Sequence, residues 1–401
     1  MTEFCDQVFV LLKHWIVTLP IWPEAVRPLL SVLLSIVPIM LVFAFFFAIV
    51  TVLERKGLGR LQNRYGPNRV GLPFTNLRLY GFGQFIADGI KALTKEDVVP
   101  RAADKAVHFL APLFLVVPVF LAYSVLPFGR NMVPIDLDAG VLFFFAAGAA
   151  TELAVFLAGW SSRNKYSLLG AMRAIAQMIS YEVPLIISTI TVVMMVGSLS
   201  TVKIVEAQAV YSGQLAHWHV FTPWGFAGFI LLVVAAMAES NRSPFDLPEG
   251  ESEIVAGYFV EYSGFKFALF FLAEYLGMFA VSGMAITLFL GGWSAPLAFL
   301  TPVPSWLWFF AKLVAFVFFF IWVRGTVPRL RMDQLMNFAW KFMLPMALIN
   351  IVVAGFWRFM PPGLARWVFC SGLIVLPYFL LARGLAGGKD AAKRTYRFAE
   401  G

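Results

Sequence analysis

The sequence predicts an all-α integral membrane protein of about nine transmembrane helices, with one further amphipathic helix lying on a membrane surface. Three observations carry that expectation. Hydrophobic residues make up 60% of the chain and charged residues 13%, with a mean hydropathy of +0.80, whereas soluble domains carry roughly 25% charged residues. Apolar runs long enough to cross a bilayer, about 20 residues each, recur along the whole chain and so are not one leader segment. Finally, the basic residues gather in alternate connections between those runs.

Residues 1–27 contain a shorter apolar stretch interrupted by Lys13, His14, Pro20 and Pro23, the pattern of an interfacial helix rather than a span. Spans are expected near 28–52, 106–127, 139–159, 172–197, 222–239, 266–290, 305–323 and 340–358. A ninth, near 364–383, follows. The core membrane domain therefore covers 28–358, with long connections at 53–105 and 239–266. Residues 359–383 supply an additional C-terminal helix, and 384–401 a basic tail. No internal repeat is visible.

Lys and Arg are retained on the cytoplasmic side of short connections. Most of the 31 basic residues fall in 53–105, 160–173, 239–266, 324–341 and the tail, so the N-terminus is expected outside and the C-terminus inside. That topology also accounts for the net charge of +8 without nucleic acid. No phosphate loop or dinucleotide fingerprint is present. Cys5 and Cys370 stand far apart, and the four histidines are His14, His108, His217 and His219. An iron–sulfur cluster or structural zinc is not expected from such a set.

The connection 239–266 reverses the charge pattern. Glu239, Asp246, Glu249, Glu251, Glu253 and Glu261 outnumber its bases, and Pro244, Phe245, Leu247, Pro248, Ile254, Val255, Tyr258 and Phe259 are interleaved with them. A freely solvated acidic loop is not that apolar, so this segment is expected to pack. Further acids fall inside spans, where an ionised side chain costs on the order of 2.5–3.5 kcal/mol. They are Glu182, Glu274 and Glu152. Each could serve as interhelical glue, but a layer of acids below an acidic loop favours a hydrated proton route. Lys312 and Arg324 on the seventh span are its expected partners.

The segment 53–105 begins ERKGLGRLQNRYGPNRVG, with Arg55, Lys56, Arg60, Arg64 and Arg69 among Gly and Gly-Pro turns that argue against one helix. In GFGQFIADGIKALTKED, Phe82, Phe85, Ile86, Ile90 and Leu93 recur at three- and four-residue steps opposite Gln84, Asp88, Lys91 and Lys95, as in a helix lying in a membrane surface. Such a helix could anchor to headgroups or frame a portal for a lipid-soluble substrate.

Four blocks, in order, carry a resemblance. They are ERKGLGRLQNRYGPNRVG, GWSSRNKYSLLGAMRAIAQMISYEVPL, AESNRSPFDLPEGESEIVAGYFVEYSGFKFALFFLAEY and RGTVPRLRMDQLMNFAWKFMLP. Together they resemble the H-subunit family of bacterial NADH:quinone oxidoreductase, respiratory complex I, over residues 28–350. The resemblance implies a membrane subunit of the bacterial inner membrane, at the joint between the hydrophilic arm and the proton-pumping arm. It would form part of a chamber for ubiquinone or menaquinone and couple quinone reduction to proton translocation. By motif, Arg55, Asp88, Glu239, Arg242, Asp246, Glu249 and Arg329 would line or shape the chamber, and on the amphipathic reading of the surface helix Phe82, Phe85 and Ile86 would frame its portal. Glu182, Glu251, Glu253, Glu261 and Glu274, with Lys312 and Arg324, would form the proton-coupling route; Glu152 lies outside the matching blocks. Flavin and iron–sulfur clusters would belong to partner subunits, and the partners would be both the hydrophilic-arm quinone-site subunits and the adjacent small membrane subunits. The chain alone would hold no complete active site and no metal. Two other classes are a membrane subunit of an energy-converting hydrogenase-type complex and a stand-alone ion transporter. The paired broken helices of many transporters are not apparent.

Overall fold

The computed structural model describes residues 2–19, 23–24, 26–71, 79–247 and 256–386. Twelve helices occupy most of these: α1 (Thr2–Thr18), α2 (Arg27–Leu61), α3 (Gln84–Thr94), α4 (Lys105–Tyr123), α5 (Gly140–Ser161), α6 (Lys165–Val196), α7 (Thr201–Gln208), α8 (Pro223–Glu239), α9 (Gly264–Phe289), α10 (Ser305–Thr326), α11 (Met332–Phe359) and α12 (Leu364–Ala386). Among the described residues, eight helices are long and apolar enough to span a membrane. The expected fifth span, α8, has 17 residues, slightly short of the usual length. The protein is thus an all-α, multi-pass integral membrane protein. A small hairpin pairs β1 (Tyr211–Ser212) with β2 (Leu215–Ala216) before α8.

Local sequence fixes several helix ends. The Asn164 carboxamide oxygen accepts from Tyr166 N at the start of α6, and Gly197 closes that helix with φ 76°. Thr222 caps α8 ahead of Pro223 at its first position. Three boundaries differ from the expectation by several residues, one of them the start of α11 at Met332 rather than near 340. Helix α6 begins at Lys165 rather than near 172, because the Asn164 cap starts it within the polar stretch. Helix α2 runs on to Leu61 rather than stopping at 52, so Glu54, Arg55, Lys56 and Arg60 are helical. Gly57 does not break it there, because a contact requires it: a Cβ at this position would lie 2.9 Å from Ile321 Cγ2 on α10. A similar approach seats residues 257–259 on α6, since a Cβ on Gly170 would lie 2.7 Å from the Gly257 carbonyl carbon. Close contact at small residues is the main packing device between helices in lipid.

Helix α9 is the central post. Of its apolar window 72% is buried, against 6% for the peripheral α12. Phe270, Leu276, Phe279 and Phe289 on α9 are fully enclosed, and the Tyr123 hydroxyl donates to Leu276 O at 2.6 Å. Helix α1 fastens along α2 and α10: Lys13 Nζ donates to Ser35 Oγ at 2.6 Å, and Asp6 accepts from Ser305 N at 2.7 Å. Helix α11 contains a π-turn over Ala339–Met343, facing α6 where Trp340 Nε1 donates to Ser180 Oγ at 3.3 Å.

Beside the hairpin, the His219 ring packs against Trp224, and burial pushes its pKa down to about 4. A histidine held neutral in the fold contributes stability that is complete above its unfolded value of 6.5 and is lost as pH falls toward the folded value. The protection of the 217–222 amides, their base-catalysed intrinsic exchange rate divided by the observed rate, is therefore expected to be steady above about pH 6.5 and to fall between about pH 6 and 4. His219→Asn should flatten that dependence; equal pH sensitivity in the variant would contradict it.

Candidate functional site

The most heavily charged buried point is Glu54, a residue absent from the sequence-derived candidates. It lies in the extended part of α2, 5% exposed. The Tyr275 hydroxyl on α9 donates to its Oε2 at 2.5 Å, and Arg324 Nη1 on α10 donates to its Oε1. Arg242 Nη1 stands 3.8 Å from the same oxygen, with its guanidinium 3.7 Å above the Tyr275 ring. Burial pulls the Arg242 pKa down, but Tyr275, Glu54 and Glu274 more than offset it and hold the guanidinium above the ordinary arginine range. Its Nε and Nη2 have no hydrogen-bond partner among the described residues.

Helix α9 turns about 100° per residue, so its consecutive residues Glu274 and Tyr275 face different surroundings. Tyr275 meets the Glu54 group. Glu274 accepts from the Tyr258 hydroxyl at 3.0 Å and lines a cavity of about 70 Å³ between α4, α5, α6, α8 and α9. Glu239, Ser240, Asn241 and Thr151 supply its other polar lining, enough room and enough partners for water. Glu239 is within electrostatic reach of both Glu182 and Glu152, whose carboxyl groups lie in hydrogen-bonding contact with each other. A hydrogen bond between two carboxyl groups needs a proton on one of them. Two charge clusters thus adjoin, joined through Arg242 and Glu274.

The other candidates distribute as follows. Asp246, 4% exposed, accepts from Arg329 Nη2 at 2.9 Å. Arg55 Nη1 donates to Asp88 at 2.7 Å, tying α2 to α3 in an exposed pair. Phe82 precedes α3 with Lys56 Nζ 4.9 Å from its ring, and Phe85 and Ile86 on α3 are half-buried. Glu261 stands apart from the cavity lining, accepting from Asn164 Nδ2 at 2.6 Å at the start of α6. Glu249, Glu251 and Glu253 lie outside the described residues.

Two expectations need correction. Lys312 does not partner the acids. Its Nζ donates to the carbonyls of Leu290, Gly292 and Ser294 at 2.7–2.8 Å and sits over the Trp218 ring. It caps the C-terminal end of α9, 12 positions and about 18 Å along α10 from Arg324. Arg324 does pair with an acid, but that acid is Glu54. Glu239, which the resemblance sets among the chamber residues, lines the cavity with Glu274, because it ends α8 facing α5. Among the described residues, no three His, Cys, Asp or Glu side chains gather as metal ligands.

Sequence reasoning missed Glu54, Tyr275, Tyr258 and Gln177. The signal for Glu54 was its position: it is the first charge after an apolar run, and it leaves the membrane's edge only if the helix stops before it. The tyrosines and the glutamine carried no such mark.

Fold and site together define a multi-pass membrane protein organised around a buried carboxylate–guanidinium network. The chain belongs to the NADH dehydrogenase family, whose sequence profile matches residues 34–355. It is 50% identical over 367 residues to the H subunit of the NADH-quinone oxidoreductase of Dehalococcoides mccartyi (strain CBDB1), covering 88% of this chain and 98% of that relative. Identity to the corresponding H subunit of Geobacillus kaustophilus (strain HTA426) is 44% over 344 residues, covering 86% and 97%. To that of Polaromonas naphthalenivorans (strain CJ2) it is 43% over 348 residues, covering 85% and 94%. The four sequence blocks point to the same family.

Removing one member of a buried ion pair strands its partners at a cost of about 3–5 kcal/mol. Glu54→Gln is therefore expected to lower the thermal unfolding temperature of the purified protein by several degrees, because two guanidinium groups lose their carboxylate. Arg324→Gln should be milder, since Arg242 and Tyr275 still serve Glu54. The reverse order would remove Glu54 from the centre of the network.

Proposed function

We propose that this chain is the membrane subunit of an NADH-quinone oxidoreductase that forms the membrane side of the quinone chamber and couples quinone reduction to proton translocation. The observation that carries the reading is the adjacency of the two clusters: Glu54 with Arg242, Arg324 and Tyr275 on one side, and the cavity with Glu274, Glu239, Glu182 and Glu152 on the other. A quinone gaining two electrons must also gain two protons, and a proton withdrawn near Arg242 or Asp246 changes the charge seen by Glu274. Redistribution of protons among carboxyl groups in an apolar surround follows from such a change. Asp246 and Arg329, with Glu249, would shape the chamber floor.

Glu251, Glu253 and Glu261 would continue the acidic lining between chamber and membrane. Phe82, Phe85 and Ile86 would guide an isoprenoid tail between α3 and lipid, with Arg55 and Asp88 fixing α3 to α2. Ubiquinone or menaquinone is the substrate. Electrons arrive through flavin and iron–sulfur centres of hydrophilic-arm subunits, and the proton route continues into adjacent small membrane subunits. The bias of Lys and Arg supports an N-terminus outside and a C-terminus inside the bacterial inner membrane.

Glu182, 17 positions past Lys165 and about 25 Å along α6, tests the coupling role. Glu182→Gln keeps shape and removes titration. An assembled variant complex is expected to oxidise NADH with artificial acceptors normally, while quinone-linked turnover and proton translocation in vesicles fall about tenfold or more, the effect of about 1.4 kcal/mol on a barrier. Normal pumping would return Glu182 to a packing role.

The portal is tested by tail length. Replacing Phe82, Phe85 and Ile86 with Ala should raise the KM for long-tailed quinones several-fold more than for short soluble analogues, which need no guided path. An equal change for both would favour a plain membrane anchor.

A further inference from the structure

The segment that links the two clusters, residues 238–247, is closed around one side chain. Gln177 on α6 is fully buried. Its Nε2 lies 2.7 Å from Ala238 O, 2.7 Å from Phe245 O and 3.2 Å from Asn241 Oδ1. Three acceptors around one atom identify that atom as the nitrogen, and its two N–H groups are fully used. The amide oxygen Oε1 has no hydrogen-bond partner among the described residues. The chain is bent to fit: Asn241 has φ 51°, Arg242 N donates to Met237 O at 3.1 Å, and Phe245 N donates to Arg242 O at 2.8 Å. Phe245 also packs on Tyr181, one turn further along α6.

The position of this clasp matters because of what the segment carries. Glu239, at one end, faces the cavity. Arg242, in the middle, meets Glu54, and Asp246, at the other end, meets Arg329. Without the clasp, Ala238 O would keep only its bond from Asn241 N, and the Phe245 carbonyl would lie in an apolar interior without a donor among the described residues. The segment would then relax and alter the distance between Glu239 and Arg242.

We propose that Gln177 is a positioning residue for quinone-linked turnover: its amide clasps the Ala238–Phe245 turn and so holds Glu239 and Arg242 at a fixed separation. The proposal rests on the functional reading given above. It assigns no proton transfer to Gln177, which touches neither substrate nor reacting atoms. Its role is to fix the register between the quinone-side cluster and the cavity-side acids.

Two substitutions in the intact complex separate this from bulk packing. Gln177→Met keeps the volume and removes both donors. Gln177→Glu keeps the shape, and its carboxyl can donate one hydrogen bond while protonated but none when ionised. Surrounded by three acceptor oxygens, that carboxyl holds its proton well above the ordinary carboxylate range. The charged groups of the clasped segment are Glu239, Arg242 and Asp246, and those within five positions on its own helix are Arg173 and Glu182, all present in the wild type, so their contribution divides out. Assembly is followed by NADH oxidation with an artificial acceptor in the partner subunits. Gln177→Met is expected to lower quinone-linked turnover about tenfold at every pH. Gln177→Glu should lie within about threefold of wild type at about pH 6 and fall to the Gln177→Met level by about pH 8. Hydrogen exchange at the backbone amides of 238–247, taken relative to wild type at the same pH, should rise in parallel, a readout independent of quinone chemistry.

A Gln177→Glu complex whose rate ratio to wild type is constant with pH, or whose 238–247 exchange is unchanged, would overturn the proposal. If Gln177→Met fails to assemble, the pH dependence within Gln177→Glu decides alone. Failure of the functional reading looks different: Asp246→Asn would leave quinone turnover intact while the exchange of 238–247 still responded to Gln177.

Discussion

Burying a carboxylate in a membrane protein is the constraint around which this fold is arranged. Glu54 is enclosed at the meeting of α2, α9, α10 and the segment after α8. Removing such a group from water costs several kcal/mol, repaid only by close opposite charge and filled hydrogen bonds. Each neighbour supplies one part of that compensation. Helix α2 must extend beyond its apolar run to deliver the carboxylate, and Gly57 is what lets it pass α10 closely enough for Arg324 to reach. Tyr275 binds the second oxygen and also presents its ring to Arg242, so a single side chain on α9 serves both signs of charge.

From that point the organisation of α9 follows. Tyr275 is committed to Glu54, which turns Glu274 toward Tyr258 and the cavity. The helix therefore divides two polar regions while touching both, and its deep burial prevents it from rotating one residue into the place of the other. Gln177 performs the equivalent separation on the chain after α8, where Glu239 and Arg242 are three residues apart yet face different clusters. A two-cluster arrangement with a shared wall requires both devices, since freedom in either would allow Arg242 to collapse onto Glu239 and neutralise it.

The overall architecture was legible in the sequence because apolar length is a direct consequence of bilayer thickness. Helix identities survive errors of several residues, and the nine apolar stretches all recur as helices. The site was less legible where its chemistry depends on an end. Setting the first span's end at 52 moved Glu54 into a surface loop and hid the network's centre. Lys312 and Arg324 lie on one helix and looked like equivalent partners for buried acids; only the fold reveals that the first faces carbonyls at the far end of α9. Glu182 and Glu274 were readable because a carboxyl deep in an apolar run is costly on any packing. Tyr275 and Gln177 were not, because tyrosine and glutamine in a membrane helix have many inexpensive fates.

The two anchors of α9 bear on how a change at one cluster reaches the other. Just past its C-terminal end, Lys312 holds the carbonyls of Leu290, Gly292 and Ser294, fixing the turn into which the helix runs. In its N-terminal half, Tyr275 is held by Glu54 and covered by Arg242. A helix fixed at both places and enclosed between them does not slide without breaking two buried polar groups at once. Charge does not need it to slide. At an effective dielectric of about 20, unit charges about 8 Å apart still interact by about 2 kcal/mol, enough to shift a carboxyl's proton affinity more than tenfold. Rigid walls preserve that interaction, because a structure unable to relax around a new charge does not screen it from Glu274, Glu239, Glu182 and Glu152.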